Sequence, residues 1–140
     1  MRHYKLTLIF ISLLTPFSCT FANPPTGHEL IQILLENQHR IIPNNDGWCN
    51  GAANKPLSSE IIRVLSPRTK FEDDLQEDLH YQCTDSVHES NGQEISVWQC
   101  QLGVVETKDK DKKYFISRSI FISINKDLKN IFIDSLRCMN

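Results

Sequence analysis

The pair Asn91-Gly92 and the residues that flank it leave few folds open to this chain of 140 residues. Asn-Gly accepts the two positive φ angles of a type I′ turn better than almost any other pair, and such a turn joins two antiparallel strands. Leu79, Tyr81 and Cys83 alternate with His80, Gln82 and Thr84 on one side of it. Trp98, Cys100, Leu102 and Val104 alternate with Gln99, Gln101 and Gly103 on the other. A two-residue turn sets Cys83 opposite Cys100, Tyr81 opposite Leu102, Leu79 opposite Val104 and Asp85 opposite Trp98. One face of the hairpin is then almost wholly apolar, while Gln82 with Gln101 and Thr84 with Gln99 form a polar face. Counting out from the turn, Cys83 and Cys100 fall on a non-hydrogen-bonded pair, where side chains lie closest, which suits a disulfide.

The N-terminus makes disulfides expected. Arg2 and Lys5 precede an apolar run, Leu6 to Leu14, broken only by Thr7 and Ser12. Thr20-Phe21-Ala22 then offers small residues at the positions a signal peptidase reads. The run is short of the ~20 apolar residues that a membrane span needs. Residues 1–22 therefore read as a cleavable export signal and residues 23–140 as one mature domain. A lipid-modified Cys19 is the alternative, but Pro16-Phe17-Ser18 lacks the aliphatic lead-in that such a cysteine usually has. Four cysteines remain, an even number in an oxidising compartment. If Cys83 joins Cys100, then Cys49 joins Cys138 by elimination.

The helical signals come first. Thr26-Gly27-His28-Glu29 has the form of a capping box, and Leu30, Ile31, Leu34 and Leu35 follow at helical spacing. This predicts a helix from Gly27 to about His39, ended by the turn formers of Pro43 to Gly47. Ser58-Ser59-Glu60 predicts the cap of a second, shorter helix through Ile61, Ile62 and Leu65, stopped by Pro67. Phe71 to Leu79 fits a short acidic helix or an irregular loop. After the hairpin, Tyr114, Ile116, Ile120, Ile122 and Ile124 form one face of a third strand, interrupted by Arg118. Ile131 to Cys138 is the fourth strand, after a turn near Lys126-Asp127. The expected fold is α+β: an N-terminal helix, with the second helix, packed on a four-stranded antiparallel meander held by two disulfides.

Little in the chain suggests catalysis. It has no phosphate-binding glycine loop, Gly-x-Ser-x-Gly elbow or His-Glu-x-x-His motif, and no catalytic residue, cofactor or metal is expected. His80 and His88 would stand about 26 Å apart along one strand, too far to share an ion. The mature chain carries 13 basic and 17 acidic side chains, which argues against nucleic acid as a partner. Residues 23–103 hold 12 acidic and 5 basic groups, residues 104–140 hold 5 and 8. Glu72, Asp73, Asp74, Glu77 and Asp78 form an acidic run suited to a basic protein partner. Arg118, on an otherwise apolar face, suggests either a stem buried at the sheet margin or a pocket lined with Trp98 and Tyr114, with Asp134 as the nearest carboxylate. The expected function is that of a periplasmic or secreted binding protein, of the inhibitor or immunity type. A small-ligand or accessory envelope domain is the alternative. The exported protein is expected to begin at Asn23 and carry no lipid. Its intact mass checks this, and a diacylglyceryl-modified Cys19 would contradict it.

Overall fold

The computed structural model describes residues 23–44, 49, 51–66, 75–108 and 113–139. The expected export signal, residues 1–22, lies outside them. Two helices, α1 (Gly27–Glu36) and α2 (Leu57–Leu65), precede four strands: β1 (Leu75–Ser90), β2 (Gln93–Lys108), β3 (Lys113–Asn125) and β4 (Ile131–Met139). The strands form one antiparallel sheet in the order β1-β2-β3-β4, and they outweigh the helices in length.

The hairpin register is the one the turn chemistry implies. Asn91 and Gly92 both have positive φ, 53° and 74°. All the β1–β2 pairs follow without a slip, from Ser90 with Gln93 out to Leu75 with Lys108. Cys83 is bonded to Cys100 with a Cα separation of 4.1 Å, as expected at a non-hydrogen-bonded pair. Cys49 is bonded to Cys138, which anchors the segment between the helices to the last strand. β1 itself begins at Leu75, so the end of the ambiguous acidic stretch is strand, neither helix nor loop. Residues 67–74 lie outside the described part.

The end of α1 and the start of α2 differ from their sequence expectation, the first for a local reason and the second for a tertiary one. The Thr26 capping box forms: the Thr26 N–H and hydroxyl both donate to Glu29 Oε2 at 2.8 Å, and the Glu29 N–H donates to Thr26 Oγ1. The backbone bond first, then the hydroxyl, draws the Glu29 carboxyl below its ordinary range. At the other end, Asn37 Nδ2 donates to the Ile33 carbonyl. This local side-chain bond competes with the helix and ends it three residues before His39. The cap of α2 is not Ser58 but Pro56, which gives no side-chain cap. The first N–H groups of the helix are met instead by the chain that follows α1: Leu57 N donates to the Arg40 carbonyl and Ser58 N to that of Gln38. A cap supplied from tertiary backbone leaves no residue-type signature.

The alternate residues Trp98, Cys100, Leu102 and Val104 of β2 and Ile120, Ile122 and Ile124 of β3 face the helices. They join Leu30, Ile33, Leu34, Leu57, Ile61 and Val64 in one buried cluster. A bulge at Ser117 breaks the expected alternation of β3: Arg118 pairs with Val104, but Ile116 pairs with Val105. Ile116 therefore falls out of phase with Ile120 and stands on the open face. Gly103, next to this bulge, allows the close approach of β3, since a Cβ there would lie 2.7 Å from that of Ser119.

The two disulfides close loops of very different size, with sequence separations of 89 and 17. Replacing Cys49 and Cys138 together by alanine is expected to cost about 4–5 kcal/mol, against about 3 for Cys83 and Cys100, on the loop-entropy model. Urea unfolding of the two double variants checks the ranking, and a larger loss from the hairpin pair would reverse it.

Candidate functional site

Arg118 is buried, with 5 % of its surface exposed, and its whole guanidinium is engaged. Nη1 and Nη2 donate to the two oxygens of Glu77 at 3.0 and 3.2 Å. Nε donates to the Val64 carbonyl at 3.0 Å and Nη2 to that of Ser66 at 2.7 Å. Glu106 Oε1 stands 3.6 Å from Nη1. The arginine thus meets the carbonyl end of α2, where a helix presents partial negative charge, and a carboxylate from each hairpin strand. Its partner is Glu77, not Asp134, because β4 pairs with β3 only from Ser119 onward and does not reach Arg118. The reading of a stem at the sheet margin with its head in water is corrected by this burial.

The expected acidic run divides accordingly. Glu77 turns inward to Arg118, while Asp78 is exposed on β1. Residues 72–74, and with them Glu72, Asp73 and Asp74, lie outside the described part. Of the expected pocket residues, Trp98 pairs with Ile124, six positions along β3 from Arg118. Trp98 is buried under Lys126, whose Nζ stands 4.5 Å from the ring centroid and bridges to Asp85 at 2.7 Å. Tyr114 pairs with Thr107 beyond the bulge, and its side chain lies outside the described part.

Two surfaces remain that sequence reasoning did not isolate. The first is the margin of β1. Its helix-side residues Leu79, Tyr81 and Val87 are 47 %, 49 % and 59 % exposed, because α2 packs over β2 and β3. Tyr81 lies against the first residue of α1, where a Cβ on Gly27 would overlap its ring. Asp78, Asp85 and Glu89 stand exposed along the same strand.

The second is the face of the sheet away from the helices. One row of paired residues crosses all four strands there: Gln82 with Gln101, Gln101 with Phe121, and Phe121 with Arg137. Thr84 and Gln99 form the next pair. These side chains line a basin of about 450 Å3, bounded on the β4 side by Cys138 and Met139. The face is concave because the two edge strands meet over it. The ring of His88 in β1 lies 4.6 Å from that of Phe132 in β4, and its Nε2 is 3.4 Å from Asp134 Oδ2. Contact between opposite edges of a four-stranded sheet requires a strong curl. A three-residue register shift in β4, between the pairs of Phe121 and Ser123, brings Phe132 into line. Alternation alone does not disclose such a shift. The polar pairs themselves were readable, but as the solvent side of a hairpin.

Comparison with protein-family models, with curated proteins and with solved structures finds no match. Among the described residues no helix is long and apolar enough to cross a membrane, and no group of three or more His, Cys, Asp or Glu is placed to hold a metal ion.

Removing one member of a buried, hydrogen-bonded charge group leaves the others uncompensated. Arg118→Ala is therefore expected to destabilise the protein by about 3–5 kcal/mol. Arg118→Lys is expected to recover little, because one ammonium cannot serve two carbonyls and a bidentate carboxylate. Urea midpoints of the two variants check this, and a loss under about 1 kcal/mol would show the cluster to be dispensable.

Proposed function

We propose that this chain is an exported binding protein of the inhibitor or immunity type, whose partner is a protein with a basic rim around an apolar centre. The observation that carries the reading is the β1 margin, where the half-exposed Leu79 and Tyr81 share one face of the strand with the exposed Asp85 and Glu89. An apolar centre with a charged border is the usual composition of a specific protein interface. The tyrosine, braced against the start of α1, is of the residue type that most often dominates binding energy. The surrounding excess of acid accelerates encounter with a basic surface.

Two further features support the reading. The cross-links at Cys49–Cys138 and Cys83–Cys100 fit an oxidising compartment, where small domains commonly use disulfides. They also stiffen the scaffold, so that little ordering entropy is lost on binding.

The mature protein, immobilised, is tested against periplasmic extract of its source. Retention of a protein partner at micromolar affinity or tighter is expected. Replacing Leu79 and Tyr81 together by alanine is expected to weaken binding by roughly 30-fold. Glu89→Lys, on the same face as Leu79 and Tyr81, is expected to slow association and flatten its salt dependence. Absence of any such partner, or a partner indifferent to the Leu79/Tyr81 change, would overturn the assignment.

A further inference from the structure

The geometry of the open face points to a second binding site, separate from the β1 margin, and we propose that it accepts a saccharide unit. Its basin of about 450 Å3 falls in the size range of small-ligand sites. The lining decides the class of ligand. Gln82, Gln99 and Gln101 each end in a carboxamide, which offers two donors and an acceptor at one tip. A sugar hydroxyl also donates and accepts, so the amides of Gln82 and Gln99 can each satisfy one fully, while Gln101 gives one N–H to Ser119 Oγ at 3.3 Å and keeps a second donor and its acceptor. Gln82 and Gln101 are directly opposed, as are Thr84 and Gln99. Opposed residues on neighbouring strands have Cβ atoms about 5 Å apart, close enough for two side chains to hold one ring. Phe121, next in the same row, adds a flat apolar surface for the C–H face of a pyranose.

Other ligand classes fit less well. An apolar ligand would strip water from the amides and return no hydrogen bonds. A cationic ligand would meet Arg137 and, within this lining, no carboxylate. An extended peptide is normally held by the free backbone of a sheet edge, whereas the basin lies over strands already paired on both sides at Gln101 and Phe121.

The curl makes the site preformed. Because His88 of β1 meets Phe132 and Asp134 of β4, the sheet is bent around the basin before any ligand arrives. Preformed sites lose less ordering entropy on binding.

The test is an NMR titration of the 15N-labelled mature protein with glucose, N-acetylglucosamine and glucuronate, with a Gly-Ser tetrapeptide as the competing class. At least one sugar is expected to saturate with a Kd of about 1 mM or tighter, moving the side-chain amide signals of Gln82, Gln99 and Gln101. Gln101→Leu and Phe121→Leu are each expected to weaken that binding about fivefold or more. Tyr81→Ala, on the opposite side of the sheet, is expected to leave it unchanged. If Gln101→Leu disturbs the fold, as judged by its urea midpoint, Gln82→Ala on the exposed edge strand serves in its place. Failure of every sugar to saturate, shifts centred elsewhere, or saturation by the tetrapeptide alone would overturn the proposal. None of these outcomes bears on the protein partner, which is probed at Leu79 and Tyr81.

Discussion

The buried guanidinium of Arg118 is the contact through which most elements of the structure are related. It binds the carbonyl end of α2, lies between Glu77 of β1 and Glu106 of β2, and is itself carried by β3. Glu77 and Glu106 stand directly opposite one another in the hairpin. Like charges in that position repel, so the hairpin keeps this pair only because a cation from the third strand is placed between them. The bulge at Ser117 gives that strand the phase it needs. A well-packed apolar substitute for such a charge cluster is often as stable or more so. Its benefit here is geometric: it ties the terminal carbonyls of α2 to one position on β3. A second arginine works alongside it. Arg63 of α2 binds Glu60 in its own helix and reaches the carbonyls of Ser119 and Met139.

What could be read from the chain was the local chemistry. Asn91-Gly92 specifies its turn whatever surrounds it, and that turn fixed the register of β1 on β2 and hence both disulfides. Thr26 and Glu29 lie three residues apart and cap the same turn of helix, so they too were legible. Most of the misreadings have a common physical origin, because they depend on groups distant in sequence; the end of α1, set by Asn37 on Ile33, is the local exception. The cap of α2 is made by the carbonyls of Gln38 and Arg40. The acidic stretch becomes strand from Leu75 because β2 has residues left to pair. Arg118 takes Glu77, forty-one positions away, since β4 stops short of it. Of the candidate surfaces, the acidity of β1 was visible, but not which carboxylates turn inward. The concave basin was not visible at all, because it depends on a register shift in β4 and a curl that brings His88 to Phe132.

The two faces of the sheet consequently have different characters. The covered face carries the apolar cluster, and its uncovered margin at β1 presents Leu79 and Tyr81. The open face carries amides and hydroxyls in pairs, with the His88 contact closing one end. Neither surface is built from a loop. Both lie on strands whose side chains are held in place by paired neighbours, and rigid elements position binding groups more closely than loops do.

The Cys49–Cys138 bond has a topological consequence. It makes residues 49 to 138 a single covalent ring, with the smaller Cys83–Cys100 ring nested inside it. Cutting one peptide bond anywhere in the large ring opens the circle but frees no fragment. Helix α1 is outside it. The N-terminal helix joins the ring only through the backbone leading to Cys49, and is otherwise held by packing of Leu30, Ile33 and Leu34. A protease acting between α1 and Cys49 is therefore the one that can detach a structural element with a single cut, and it would uncover the apolar face beneath.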